Sequence, residues 1–168
     1  MSVIISNTTP INYLVLIDQI DVLYYLYGRV LIPQAVLGEL QADGTPSKVK
    51  EWVASRPDWL EVQSISVSLN DTLDYLDMGE REAISLAQEL NADALIIDEP
   101  EGREAARAQG LRVIGTLRVL YDAAEAGLCD LEQVYSQLRQ TTFRAHPDLY
   151  RIFLEAFDQW RNLPGTQN

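Results

Sequence analysis

The chain has 168 residues, with 13 Lys and Arg against 25 Asp and Glu, which gives a formal net charge of −12. This length fits one domain, or one domain with a small addition. Apolar residues make up 47% of the chain, so the sequence can bury a core and is not that of a disordered protein. The acidic excess argues against a protein that binds nucleic acid or anionic membranes through bulk positive charge.

The single cysteine, Cys129, excludes a disulfide framework and a zinc site built on several cysteines. The N-terminus lacks the features of a signal peptide, and together these observations predict a cytoplasmic protein. No apolar run approaches the roughly 20 residues that cross a bilayer, so no membrane partner is expected. The one histidine, His146, precedes a helical pattern and is expected to be a loop residue rather than a catalyst.

Short apolar runs alternate with helical patterns, which is typical of βαβ units around a parallel sheet. The first strand is expected at Val3–Ile5, after which Thr9 is expected to cap a helix with Pro10 at its first position. The other strands are expected at Arg29–Ile32, Leu60–Val67, Ala94–Ile97 and Leu111–Ile114. The run Ala94–Ile97 is apolar throughout, which indicates a central strand, whereas Leu60–Val67 has either an edge position or no clear place.

The helices predicted between and after these strands follow from apolar spacing and from turn residues. In chain order they run from Pro10 through Ile17, at Val22–Tyr27, from Pro33 through Leu40, and at Ser47–Ser55, Asp71–Leu76, Glu82–Leu90, Pro100–Gln109, Leu117–Ala126 and Leu131–Leu138.

The last helical pattern, between Leu149 and Trp160, places apolar residues at spacings of three and four. It predicts either a terminal helix packed on the body of the fold or a surface for a partner or a second copy. The expected organisation is an α/β domain over residues 1–128, a helical extension packed on it over 129–163, and a frayed tail over 164–168.

Polar residues follow several of these strands at the edge of the sheet where ligands of parallel α/β folds collect. Others lie in the neighbouring helices, either near the helix start or, for Glu39, roughly two turns into the helix opened by Pro33. The residues at these places are Asn7, Glu39, Glu80, Glu82, Asp98 and Glu99. Oxygen ligands without His or Cys fit a hard cation, Mg²⁺ or Mn²⁺. Such an ion can bridge phosphate oxygens and lower the pKa of a bound water.

Each of these residues also has a purely structural interpretation. Asn7 can close a turn by bonding nearby backbone. Asp77 and Glu80 fit a capping box. Asp98 can cap the helix that follows it. The residues taken singly favour these interpretations, whereas their common placement favours a site.

Five runs in the chain resemble the PIN-domain superfamily, and more narrowly its prokaryotic PIN-like branch related to toxin ribonucleases of the VapC type. They are Ser6–Ile11, Val30–Val36 with Glu39–Leu40, Gly79–Ala87, Leu95–Glu99 and Gly110–Thr116. No single run is specific to this family, but the five runs in this order are fairly strong evidence for the resemblance. The resemblance covers residues 2–128 and implies a three-layer α/β/α fold with a mainly parallel sheet.

The resemblance also implies a metal-dependent nuclease site of three or four acids that uses Mg²⁺ or Mn²⁺. By motif position the acids are Glu39, Glu80 (or else Glu82) and Asp98, with Glu99 and Thr8 as secondary candidates. The first acid of the family falls on Asn7. Its amide oxygen is neutral and a weaker ligand, which lowers the expected metal affinity.

Eleven of the thirteen cationic residues are arginines. Arg103 and Arg107 lie one helical turn apart after Asp98, and arginine suits bidentate binding of phosphate. They are candidates for contacts with RNA phosphates. The alternative is ordinary surface pairing, such as that of Arg103 with Glu99.

The sequence thus predicts a metal-dependent endoribonuclease that hydrolyses RNA phosphodiester bonds. The resemblance extends this to the toxin of a toxin–antitoxin module, with a small antitoxin protein as partner and a homodimer as the assembly. The alternative, based on Asn7 and the acidic surface, is a PIN-like binding or interaction module with weak or no catalysis.

Overall fold

The computed structural model describes residues 2–166. Its strands are β1 (Ile4–Ser6), β2 (Val30–Ile32), β3 (Leu60–Val62), β4 (Ala94–Ile96) and β5 (Val113–Ile114). They form one parallel sheet in the order β3-β2-β1-β4-β5, so β1 is the middle strand. The predicted parallel sheet is confirmed, and β4 is an interior strand as its apolar sequence indicates.

The helices are α1 (Thr8–Leu16), α2 (Val22–Tyr27), α3 (Gln34–Leu40), α4 (Ser47–Ala54), α5 (Met78–Glu89), α6 (Pro100–Ala108), α7 (Thr116–Glu125), α8 (Leu131–Arg139) and α9 (Pro147–Arg161). A single 3₁₀ turn at Asp71–Leu73 replaces the longer predicted helix. The predicted strand over Leu60–Val67 is also shorter, because only its first three residues pair with β2.

Two helix starts differ from the sequence prediction. Asn7, not Thr9, is the N-cap of α1, because extended backbone leads directly from β1 into the helix and the Asn7 N–H still donates to Ile96 O at 2.9 Å. Pro10 is therefore the third helical residue. The helix α5 begins at Met78, before the Glu82 start that apolar spacing gives and as the capping box of Asp77 and Glu80 indicates.

Helices cover both faces of the sheet. Successive strand residues point to opposite faces, and β1, β2 and β4 are buried along their whole length. On one face Ile5, Leu31 and Leu95 form a buried cluster with residues of α5 and α6. Parallel crossovers are right-handed, so the connections from β1 through β2 to β3 cover the other face. The result is the expected three-layer α/β/α arrangement.

The chain forms two compact units, the first ending at Thr116 and the second beginning at Leu117. In the second unit, the ring of Tyr121 contacts Phe153 and Phe157, while Tyr135 and Tyr150 meet edge to face. Part of the predicted apolar pattern of α9 therefore packs within this unit. The domain boundary between residues 128 and 129 stays a prediction.

The C-terminal helix α9 has defined ends. His146 is its N-cap, and His146 Nδ1 accepts the Asp148 N–H at 3.1 Å. Beyond the helix, the Thr166 hydroxyl donates to Leu163 O at 2.8 Å, so the described part of the predicted frayed tail forms a turn. Gln167 and Asn168 lie outside the described residues. Neither α9 nor another helix within residues 2–166 has the length and apolar character to span a membrane.

Candidate functional site

Asn7 lies at the carboxyl end of the middle strand and is only 2% exposed. Its Nδ2 donates to Glu99 Oε2 at 3.1 Å. Its Oδ1 is buried and has no hydrogen-bond partner among the described residues. Buried polar atoms are nearly always paired, so this oxygen can accept a donor or ligate a cation.

Glu39 extends from α3 toward the starts of α1 and α5. Its carboxylate accepts hydrogen bonds from the Thr8 hydroxyl and from the Gly79 N–H, the latter at 3.2 Å. A Cβ atom at position 79 would overlap the Glu39 carboxylate, so glycine is required for this close approach. The helix N-terminus of α5 thereby faces a negative charge, which stabilises both.

Glu80 belongs to the predicted capping box, which is confirmed. The Glu80 N–H donates to Asp77 Oδ1 at 2.8 Å, and Glu80 Oε2 accepts the Asp77 N–H at 3.3 Å. Glu80 is nevertheless only 6% exposed, and its carboxyl carbon would lie 3.5 Å from a Cβ atom placed on Gly102 in α6. The same carboxylate therefore caps α5 and faces the first turn of α6.

Glu99 is the N-cap residue of α6 but makes no side-chain cap bond. Its carboxylate instead accepts hydrogen bonds from Asn7 Nδ2 and from the Thr9 hydroxyl. Two structural interpretations from the sequence are therefore wrong: Asp98 does not cap α6, and Glu99 is held by α1 rather than by Arg103. Glu99, which follows β4, reaches Asn7, which follows β1, because these two strands are paired and their ends are adjacent.

We call Glu39, Glu80 and Glu99, together with Asn7, the acid cluster. Burial raises the pKa of Glu80 to about 7, and the charges of Asp77 and Glu99 add to this shift. Burial also raises the pKa of Glu39. The hydrogen bond from Thr8 lowers this pKa, and the charges of Asp77 and Glu99 offset part of that lowering. The carboxylates thus disfavour one another's ionised form, a repulsion that a cation would relieve.

Asp98 has a different environment, which we call the Asp98 network: Asp98, Arg103 and Thr116. Asp98 Oδ1 accepts the Thr116 N–H at 2.8 Å, and Oδ2 accepts the Thr116 hydroxyl at 2.6 Å. Arg103 Nη1 donates to Ile97 O at 2.8 Å, and its positive charge favours the ionised Asp98. Burial raises the pKa of Asp98 to about 6 against these interactions. Both Asp98 oxygens are therefore already bonded.

Of the remaining predicted residues, Thr8 contacts the acid cluster, whereas Glu82 and Arg107 lie outside both groups. Thr8 bonds Glu39 and so supports the acid cluster. Glu82 Oε2 accepts the Ala35 N–H at 2.6 Å and thus holds the start of α3. Arg107 is exposed, and its charge together with burial lowers the pKa of Arg103.

Sequence reasoning missed Thr116, which is fully buried and binds Asp98. The rule that predicts Asn7 and Asp98 applies to Thr116 as well, because this polar residue follows β5 at the same edge of the sheet. The sequence pattern predicts Thr9 only as a helix cap, whereas in the structure its hydroxyl donates to Glu99.

The acid cluster fits a hard cation in its chemistry. It offers carboxylate oxygens that repel one another and a buried amide oxygen that lacks a donor. Within residues 2–166, however, no three His, Cys, Asp or Glu side chains converge on one point that could hold a metal ion. The hydroxyls of Thr8 and Thr9 bond two of the carboxylates, so ion binding would require these side chains to turn.

A protein-family model described as a PIN domain matches residues 3–159 of the chain. Comparison with curated proteins finds no significant match. Among solved structures, the chain is similar to a PilT N-terminus domain protein from the hyperthermophilic archaeon Sulfolobus solfataricus P2. The identity is 17%, the TM-score is 0.46, and the alignment covers 87% of this chain and 100% of that one. The family match includes all residues of the acid cluster and of the Asp98 network.

Proposed function

The chain belongs to the PIN-domain family, whose members are generally nucleases, and on that premise we propose that it is a metal-dependent endoribonuclease. The observation that carries the proposal is the acid cluster, where the buried Glu80 and the partly buried Glu39 and Glu99 repel one another beside the unpartnered Asn7 oxygen. Glu39, Glu80 and Asn7, with a carboxylate that follows β4, would hold Mg²⁺ or Mn²⁺. When bound, such an ion supplies charge neutralisation for a phosphodiester and a more acidic water.

The protein's own residues prepare this site in three ways. Thr8 and Thr9 donate to the Glu39 and Glu99 carboxylates and set their orientation. The capping box anchors Glu80 at the start of α5. Burial raises the pKa of Glu80 to about 7 in the metal-free protein, so an ion held there would displace a proton and stabilise the ionised carboxylate.

The finer parts of the proposal rest on the sequence resemblance to VapC-type toxins. They are RNA as the substrate, a toxin–antitoxin module with a small antitoxin partner, and a cytoplasmic location. A homodimer is also proposed, and the exposed side chains of Leu149 and Ile152 on α9 support a protein contact there. Sedimentation at several protein concentrations would test it, and a monomer throughout would contradict it.

The test of the nuclease is cleavage of single-stranded RNA by the purified protein with Mn²⁺. We expect cleavage that EDTA abolishes and that Glu39→Gln reduces by about 10- to 100-fold, as for other changes at metal sites. The control is Glu101→Gln, which removes one exposed carboxylate from the first turn of α6 outside the acid cluster. Cleavage that persists in EDTA, or equally in Glu39→Gln, would contradict the proposal.

A second candidate function is a PIN-like binding or interaction module with weak or no catalysis. Two observations favour it: a neutral Asn7 stands where the family has an acid, and no three acids within residues 2–166 converge on one point. Calorimetry with Mn²⁺ separates the two functions. No heat at millimolar Mn²⁺, with normal folding, would support the module and contradict the nuclease.

A further inference from the structure

Asn7 and Glu99 form a contact that compensates for the missing acid at position 7. The amide of Asn7 brings no charge to the carboxyl end of β1, yet its Nδ2 holds Glu99 Oε2 at 3.1 Å. The Thr9 hydroxyl holds the other Glu99 oxygen. A full negative charge therefore lies directly beside the neutral residue, supplied from the neighbouring strand β4.

We propose that Glu99 supplies the negative charge that position 7 lacks, and that Asn7 is the positioning residue that holds Glu99 in the acid cluster. The ion that Asn7 and Glu99 would bind together is a divalent cation. The inference rests on the proposed function, because it assigns the fourth position of the same metal site. It departs from the sequence-based assignment of that position to Asp98.

The partners of the two neighbouring acids support this choice. Asp98 bonds Thr116 with both oxygens, and Glu99 and Arg103 shift its pKa in opposite directions. Glu99 contacts Asn7 directly, and its charge acts on both Glu39 and Glu80. Glu99 is therefore the acid after β4 that a cation beside the Asn7 oxygen and the other two carboxylates would meet.

The second, independent observation is the unpartnered Asn7 Oδ1. The amide is turned so that Nδ2 meets Glu99, which leaves Oδ1 buried without a donor. In this orientation the amide contributes one neutral oxygen ligand and one hydrogen bond to the charged ligand. A carboxylate at position 7 could not donate to Glu99 and would add a further charge beside it.

The experiment is a charge exchange measured by Mn²⁺ calorimetry without RNA. Glu99→Gln is expected to weaken Mn²⁺ binding by about tenfold or more. The double variant Asn7→Asp/Glu99→Gln restores one charge and an amide–carboxylate bond, with the donor now at position 99, so it should recover most of that affinity. Asn7→Asp alone should lower the melting temperature in EDTA, because it places two carboxylates in contact. Glu101→Gln is the matched control, expected to bind like the unmodified chain.

The outcomes are distinguishable. Absence of Mn²⁺ binding by the unmodified chain would overturn the proposed function itself. Binding by the unmodified chain and equally by Glu99→Gln would overturn only this inference, as would a double variant no better than Glu99→Gln. Loss of Mn²⁺ binding in folded Asp98→Asn but not in Glu99→Gln would also overturn it. Melting temperatures in EDTA show whether each variant is folded and report the Asn7–Glu99 coupling without metal.

Discussion

Asp98 and Glu99 are consecutive residues with opposite environments. In the Asp98 network, two hydrogen bonds from Thr116 favour the ionised carboxylate, while Glu99 and Arg103 act on it in opposite directions. In the acid cluster, Glu99 lies with Glu39 and Glu80, and the charges oppose one another. The hydrogen bonds of the first arrangement stabilise the ionised carboxylate, whereas the second carries a charge repulsion that a cation would relieve.

The pKa values of the acids are raised in both regions, but the hydrogen bonds oppose this shift to different degrees. Burial is the largest cause for Asp98, where the two Thr116 hydrogen bonds act in the opposite direction and the charge of Glu99 raises the pKa further. Burial is also the largest cause for Glu80, and there the neighbouring acids act in the same direction. A raised pKa therefore does not identify a functional acid unless its cause is known.

The largest expected effect is on stability in the Asp98 network. Asp98→Ala leaves the buried Thr116 hydroxyl and N–H without an acceptor and removes the negative charge beside Arg103. We expect a loss of about 2–4 kcal/mol in the free energy of unfolding, measured by urea denaturation. Glu101→Ala, at an exposed position, is the control. A loss similar to that of the control would show that the network does not stabilise the fold.

The acid cluster should respond to metal instead. At a free Mn²⁺ concentration of 100 times its dissociation constant, binding contributes about 2.7 kcal/mol, which raises the melting temperature by about 5–10 °C. Glu39→Gln should remove most of this shift. Thr116→Val should lower the melting temperature but keep the shift. If both variants lost the Mn²⁺-induced shift equally, the two regions would not differ in their response to metal.

The stability of the metal-free protein should depend on pH through Glu80. Its pKa rises from 4.5 unfolded to about 7 folded, so the folded state binds the proton more tightly. The stabilisation from protonation is complete below pH 4.5 and is lost as the pH rises through 7. In EDTA, Glu80→Gln should therefore be more stable than the unmodified chain by about 1–3 kcal/mol at pH 8 but not at pH 4. The same difference at both pH values would contradict this.

The smallest expected effect concerns RNA phosphates. Arg103 donates to Ile97 O and belongs to the Asp98 network, so the exposed Arg107 is the better phosphate contact of the two. Arg107→Ala should weaken RNA binding by about 1 kcal/mol and reduce the salt dependence by about one ion. Arg56→Ala, after α4 in the opposite helical layer, is the control. Identical binding by the two variants would exclude a specific contact at Arg107.

Local sequence signals were sufficient for much of the fold and part of the site. Apolar runs found β2 and β4 within one residue, because buried parallel strands are apolar on both faces. The capping box of Asp77 and Glu80 was predictable, since all its atoms lie within one helical turn. Polar residues after strands identified Asn7, Glu39 and Glu99 as neighbours at one edge of the sheet. Strand pairing then determines which ends meet.

Only the tertiary structure separated Asp98 from Glu99. The resemblance assigns Asp98 as the fourth acid and Glu99 as a secondary candidate, but it does not indicate what either side chain contacts. Their partners come from opposite neighbours of β4: Thr116 after β5 holds Asp98, while Asn7 and Thr9 after β1 hold Glu99. Successive side chains leaving a strand point in different directions, and what each one meets depends on strand order. The chain sequence therefore indicates where the acids gather, and the order of the sheet decides which neighbours each of them meets.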